Sequence, residues 1–329
     1  MGTMLLDRAD LEVHIDGQAL ALYHDGERQG TVPLKLLERV IVQGRHIRLD
    51  SGVLTRLTGA GASVLLLSPR QPRQIALVLG PLHNEAAVRI AQAGRLSDTA
   101  FCAQWSRDLV RAKLNRQLRL LRQALRTRPD ARKALTDASH GLSGILRQLE
   151  AQDGQEPAIA TLRGMEGAGA HAYFGALRSL FPPSLGFSGR NRRPPRDPVN
   201  ACLSLAYTLL HFDAVRAAHM AGLDPLIGFY HRPAIGRESL ACDLIEPLRP
   251  RADAWVRELF RTEVLTKAHF TWDGNGCLLG KAGRQHFYSR WETTAPLHRR
   301  WLRQRCSRLA RTLRDEGAQW LEEADMEEE

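Results

Sequence analysis

Hydrophobic and polar positions change their period once along this chain. Through about residue 80 the apolar residues alternate or come in short runs, as strands do. Leu11-Glu12-Val13-His14-Ile15 alternates and stops at Asp16-Gly17. Ala19-Leu20-Ala21-Leu22-Tyr23 follows and stops at Asp25-Gly26, a pair suited to a tight hairpin turn. Val40-Ile41-Val42 and Ile47-Arg48-Leu49 flank Gly44, Ala62 to Leu67 reads as a buried strand, and Ile75 to Leu79 as another. Ser51 to Leu57 reads as a short helix with Ser51 as its cap.

From about residue 84 the period becomes helical. Helices are predicted over Phe101 to Leu125, around Glu166, and over Asn200 to Ala221, Ser239 to Glu246, Trp255 to His269 and Trp291 to Leu321. Gln152-Asp153-Gly154 breaks the pattern before Glu166, Phe181-Pro182-Pro183 after it, and Pro247 kinks or ends its helix. Asp273 to Gly276 reads as a hairpin-like turn. The predicted fold class is α+β: a small N-terminal β-rich domain, residues 1–83, then a larger all-helical domain, residues 84–329, with a frayed acidic tail.

One position breaks the helical pattern. Ile159, Leu162, Glu166, Ala170, Tyr173 and Leu177 share a stripe, and only Glu166 is charged. A carboxylate facing a core is costly unless it is paired, protonated or metal-bound. Glu166 is therefore a candidate for chemistry, and its partners are to be sought on other elements.

Charge narrows the chemistry. The formal net charge is +10, and the last fifteen residues hold eight acids, so the rest of the chain sets 46 basic residues against 28 acids. A basic body of this kind points to a polyanionic partner, most often nucleic acid. On Phe101–Leu125 the row Arg107, Arg111, Arg116, Arg119, Arg122 and Arg126 reads first as a solvated face, with phosphate tracking as the sharper alternative. The loop Ser188 to Pro198 carries Arg190, Arg192, Arg193 and Arg196 among three prolines, and reads as a preset DNA-contacting loop. Arg163, near Glu166, and Arg232, beside His231, join them as candidate phosphate contacts. Cys102, Cys202, Cys242, Cys277 and Cys306 form no CxxC pair, which argues against a disulfide framework or thiolate zinc. No run approaches membrane-spanning length, so no membrane role and a cytoplasmic location are expected.

His231 stands at a corner between Gly228 and Pro233. Asp243 and Glu246, three apart, share a helix face opposite Leu240, Leu244, Ile245 and Leu248. Taken alone, that pair reads as a solvated acidic face and His231 as a structural histidine. Taken with Glu166, an imidazole and two or three carboxylates suit a hard divalent cation, Mg²⁺ or Mn²⁺. In a basic protein such a site serves phosphodiester chemistry. No phosphate-binding glycine loop and no nucleophile elbow are present.

Three blocks carry a resemblance. They are Leu162-Arg163-Gly164-Met165-Glu166-Gly167 with Tyr173-Phe174; Arg193-Pro194-Pro195 with Asp197-Pro198-Val199-Asn200-Ala201; and Gly222-Leu223-Asp224-Pro225 with Gly228, His231 and Ser239 to Glu246. Their order and spacing resemble the CRISPR-associated integrase and endonuclease family, the first-numbered Cas protein. The resemblance implies a metal held by Glu166, His231 and Glu246, with Asp243 as a supporting catalytic acid. It implies a homodimer formed through the β-rich domain, and two such dimers flanking a dimer of the second-numbered Cas protein as a heterohexamer. The implied reaction is spacer acquisition: the 3′-hydroxyl ends of a short DNA duplex attack repeat boundaries by transesterification. Gly169 departs from the family, where alanine is usual. Two other readings compete: a metal-dependent nuclease acting on branched DNA in repair, and a non-catalytic DNA-binding scaffold.

Overall fold

The computed structural model describes residues 2–68, 75–81, 83, 85–151, 158–191, 194–274 and 276–327, with side chains through Gln319. The chain divides into two compact units, Met1–His83 with Tyr288–Pro296, and Asn84–Phe287 with Leu297–Glu329.

The first unit is built from β1 (Gly2–Leu6), β2 (Leu11–Asp16), β3 (Ala19–His24), β4 (Glu27–Pro33), β5 (Leu37–Val42), β6 (Arg48–Leu49), α1 (Ser51–Gly59), β7 (Ser63–Leu67) and β8 (Ile75–Val78). They form two four-stranded sheets, ordered β1-β5-β7-β8 and β4-β3-β2-β6. One core cluster draws on both sheets and on α1, with Leu6, Val13, Leu20, Val40, Val53, Leu57 and Val64 buried. The β3–β4 turn uses the left-handed backbone that such a hairpin requires, φ 52° at Asp25 and 77° at Gly26. Strand β4 is mostly polar, so its sequence carries no strand signal; pairing with β3 places it. The α1 cap is Asp50, whose carboxylate accepts from the Val53 N–H at 2.8 Å, one residue before the expected Ser51.

The second unit contains α2 (Ala86–Gly94), α3 (Thr99–Leu125), α4 (Arg132–Ala151), α5 (Ile159–Leu177), α6 (Pro198–Met220), α7 (Ser239–Ile245), α8 (Arg249–Arg261), the strands β9 (Phe270–Asp273) and β10 (Gly276–Leu279), and α9 (Lys281–Glu327) apart from its Tyr288–Pro296 stretch. Among the described residues it is mostly helical, as expected, with the short β9–β10 hairpin as the exception. Helices α3, α4 and α5 pack on one another, and α6 packs on α7 and α8. Gly169 is the contact point of α5: a Cβ there would lie 2.4 Å from the Leu114 Cδ2 on α3 and 3.3 Å from Leu142 on α4.

The helix expected over Trp255–His269 begins and ends earlier. Pro250 sits in the first turn of α8, where its missing N–H costs nothing, and Glu263 takes a left-handed φ of 56° just beyond its end. Pro247 lies in a 3-10 turn, Glu246–Leu248, between α7 and α8. Helix α9 starts ten residues before Trp291 and runs through Glu327, so the acidic end is helical to that point. The Gln152-Asp153-Gly154 break lies outside the described residues.

Candidate active site

Helices α3 and α5 and the α7 segment bring three side chains together. Lys113, on α3, donates to the Oε1 of Glu166 on α5 and, at 2.6 Å, to the Oε2 of Glu246 at the end of α7. Tyr230 donates its hydroxyl to the other Glu166 oxygen at 2.5 Å. The other Glu246 oxygen pairs with Arg249, 2.8 Å away. Burial opposes charge on Glu246, but Arg249 and Lys113 more than offset it and hold the carboxyl at about 2. Burial also disfavours the Lys113 ammonium; Glu246 and Glu166 outweigh it, and the amine is held above the usual lysine range.

Asp243 is the second centre. Its Oδ2 accepts from the backbone N–H groups of Phe229 (2.9 Å) and Tyr230 (3.0 Å) and from Trp105 Nε1 (3.2 Å). Its Oδ1 accepts from the His231 N–H (2.9 Å) and meets His231 Nδ1 at 2.7 Å. A carboxylate can only accept, so Nδ1 carries the proton and, in the neutral ring, Nε2 presents a lone pair. Five donors saturate Asp243, so it fixes the His231 corner and has no capacity left for a metal. Gly228 makes the fit possible: a Cβ there would lie 2.5 Å from the Ser239 carbonyl carbon. His231 lies near enough to Glu246 for its imidazolium form to favour the charged carboxylate.

Taken alone, Asp243 and Glu246 read as a solvated acidic face; taken with Glu166 and His231, as part of one site. They are 1% and 4% exposed, because the seven-residue α7 is buried on nearly every side. Glu166 lies on its stripe as expected, with Leu162, Tyr173 and Leu177 buried beside it and one-fifth of its own side chain exposed. Among the described residues, no three His, Cys, Asp or Glu side chains converge as metal ligands. The Lys113 ammonium lies between Glu166 and Glu246 instead and offsets the repulsion between the two carboxylates. The donor set nonetheless fits a divalent ion. Two carboxylates already bind one cation at a shared point, and a histidine held by Nδ1 flanks them.

Of the candidate DNA contacts, Arg163, Arg196 and Arg232 are exposed. Arg163 donates to the Tyr230 carbonyl at 3.1 Å and Arg232 to that of Leu96 at 3.0 Å. Arg190 is turned inward: it donates to Asn200 Oδ1 at 2.7 Å and to the Ser204 hydroxyl, and lies over the Tyr207 ring. Arg192 and Arg193 lie outside the described residues. In the α3 row, Arg111, Arg119, Arg122 and Arg126 are exposed. Arg107 is buried, donating to the Leu149 carbonyl, and Arg116 is half-buried, donating to that of Pro247. All five cysteines are free and four are buried. No helix is long and apolar enough to cross a membrane among the described residues.

Lys113, Tyr230, Arg249 and Trp105 are site residues that the sequence reading missed. Lys113 gave the same signal as Glu166. It falls on the buried α3 stripe of Ser106, Leu109, Val110, Gln117 and Leu121, but the neighbouring arginine row drew attention to the opposite face.

The geometry can be set beside known proteins. The sequence model of the family described as "CRISPR associated protein Cas1" matches residues 4–293. A protein of Thermodesulfovibrio yellowstonii named "CRISPR-associated endonuclease Cas1 1" is 38% identical over 307 residues, covering 92% of each chain. Two solved structures are alike in fold. One, described as "Casposase bound to integration product", has a TM-score of 0.79 at 21% identity, over 95% of this chain and 91% of that one. The other, a "Cas6-RT-Cas1--Cas2 complex", has 0.77 at 20%, over 95% of this chain and 35% of that larger one. The three blocks around Glu166, Asp197 and His231 to Glu246 all fall inside the matched span, and the chain belongs to the CRISPR-associated Cas1 family.

Proposed function

We propose that this chain is a metal-dependent DNA integrase and endonuclease of CRISPR spacer acquisition. It joins the 3′-hydroxyl ends of short DNA duplexes to repeat boundaries by transesterification, without a covalent enzyme intermediate. The observation that carries the reading is the convergence of Glu166 and Glu246, from separate helices, on one buried cation beside an imidazole fixed by Asp243. The endonuclease name of its relative supports phosphodiester chemistry in the same fold.

Glu166, Glu246 and His231 Nε2 would hold Mg²⁺ or Mn²⁺. When bound, the metal lowers the pKa of the attacking hydroxyl and stabilises charge on the phosphorane-like transition state. The chain's own residues do the positioning. Asp243 keeps the His231 proton on Nδ1 and stiffens the corner through three backbone N–H bonds. Arg249 holds Glu246 charged. The exposed Arg163, Arg196 and Arg232 would hold flanking phosphates, with Arg192 and Arg193 as further candidates; Arg190 would act by bracing the loop through Asn200. The β-rich unit would form the homodimer. A dimer of the second-numbered Cas protein would complete a heterohexamer, a partnership supported by the Cas1–Cas2 complex of like fold.

The test is strand transfer of a short duplex into a repeat-bearing plasmid, with the Cas2 partner and Mg²⁺ or Mn²⁺ added. Glu166→Gln, His231→Ala and Glu246→Gln should each abolish joining while circular dichroism stays native. Full activity of Glu166→Gln overturns the reading. Nicking of branched DNA without joining, partner present, would favour the repair nuclease instead.

A further inference from the structure

The formal charge at this site is already balanced. Glu166 and Glu246 contribute two negative charges, and Lys113 and Arg249 two positive ones, all in direct contact. The side chains of Lys113 and Glu246 are only 9% and 6% exposed. Asp243 gives both its oxygens to five other donors, none of them Lys113 or Arg249. A divalent cation bridged by the same Glu166 and Glu246 oxygens would take the point where the Lys113 ammonium lies. The displaced ammonium stays tethered to α3, so these four side chains and the metal together would carry two excess positive charges. Excess charge in a buried place is costly, and the group that removes it most directly is a phosphodiester. Two ligands that each relieve the other's cost bind cooperatively, and the coupling is reciprocal.

We propose that Lys113 couples metal loading to DNA: it fills the cation position in the DNA-free protein, keeps divalent affinity low there, and yields when phosphate arrives. The proposal rests on the metal-binding reading above. It makes Lys113 a residue that sets when the site becomes competent, rather than one that touches the reacting atoms. It also explains why a lysine, with its long single-headed stem, lies on the buried stripe of α3.

The test is Mn²⁺ binding by the full-length, chelator-treated chain, followed by electron paramagnetic resonance of free Mn²⁺. It is run with and without a short duplex blocked by 3′-dideoxy ends. In the wild-type protein the duplex should tighten Mn²⁺ binding at least about tenfold, the usual size of such coupling. Lys113→Met should bind Mn²⁺ at least about tenfold more tightly than wild type without DNA, and the duplex should add little. Lys113→Gln, which keeps a polar head, should behave alike and serves if the methionine variant folds poorly. The melting temperature of either variant should be low without metal and recover with Mn²⁺. If the variants bind Mn²⁺ no more tightly than wild type, the coupling is refuted. The metal reading survives that result as long as Glu166→Gln removes wild-type binding. If no protein binds Mn²⁺ with or without DNA, both fall.

Discussion

Asp243→Asn is the substitution whose consequences can be worked out most fully. The aspartate has two acceptor oxygens for five donors, three on Oδ2 and two on Oδ1. An asparagine keeps one acceptor oxygen, which satisfies the three donors best if it takes the Oδ2 position. Its NH₂ then faces the His231 N–H and Nδ1, which can no longer both donate. The His231 N–H is left without its acceptor, at about 1–3 kcal/mol, and the three remaining bonds lose their charge assistance. We expect a loss of about 3 kcal/mol, or roughly 6–12 °C in Tm for a unit of this size. The chemical effect is separate. Nδ1 must now accept, so the ring proton moves to Nε2 and the lone pair offered to a metal is lost. Mn²⁺ affinity should fall about 10–100-fold, as for other groups that orient a ligand. Thermal melts give the first effect, Mn²⁺ titration the second, and ¹⁵N spectra of the labelled histidine the tautomer. A variant that melts within a degree of wild type and binds Mn²⁺ equally well would refute the clamp.

Four further outcomes follow from the same contacts. Gly228→Ala places a Cβ 2.5 Å from the Ser239 carbonyl carbon and 2.7 Å from the Leu240 N, backbone atoms that cannot turn aside; a loss of about 3 kcal/mol is expected, with DNA cleavage and Tm falling together. Tyr230→Phe removes the hydrogen bond to Glu166 and should cost about 1–2 kcal/mol in a denaturant titration. Glu246 is held at about 2, below its ordinary 4.5, so its stabilisation is complete above pH 4.5 and is lost as pH falls toward 2; Glu246→Gln should flatten that acid limb in Tm against pH. Asp253 is pushed up to about 6 from 3.8 by burial, against hydrogen bonds from Tyr207 and Tyr173, so the fold binds the extra proton and stability declines as pH rises from 3.8 to 6; Asp253→Asn should remove that decline.

Much of the site was legible because burial makes charge conspicuous. Glu166 stood out on an apolar stripe, and a stripe is a reliable signal on a helix as long as α5. The same signal is weak for Asp243 and Glu246, which taken alone read as a solvated face. A seven-residue helix makes fewer than two turns, so apolar residues on one side say little about the other when other elements cover both. It also could not separate Arg107 and Arg116, tied to carbonyls of Leu149 and Pro247, from their exposed neighbours, since all six arginines recur at similar steps. In the first unit, β2 and β3 were visible through alternation, whereas β4 was not, because pairing with β3 supplies what its polar sequence lacks.

Lys113 shows what a fuller reading would use. A buried carboxylate on one helix and a buried amine on another are each improbable alone, and each removes the other's desolvation problem. Helices α3 and α5 pack together, at Leu114 against Gly169, one residue from Lys113 and three from Glu166. Two charges of opposite sign on facing core stripes therefore predict a pair. On the proposed metal reading the pair has a second meaning: the amine would mark the place of the cation, and its charge would set how much free energy metal and DNA must supply to displace it. Glycine at 169, which lets α5 approach α3 this closely, would then bear on metal affinity through that distance. Gly169→Ala should lengthen the Lys113–Glu166 contact and loosen that hold on the DNA-free site, a change visible as tighter Mn²⁺ binding without DNA.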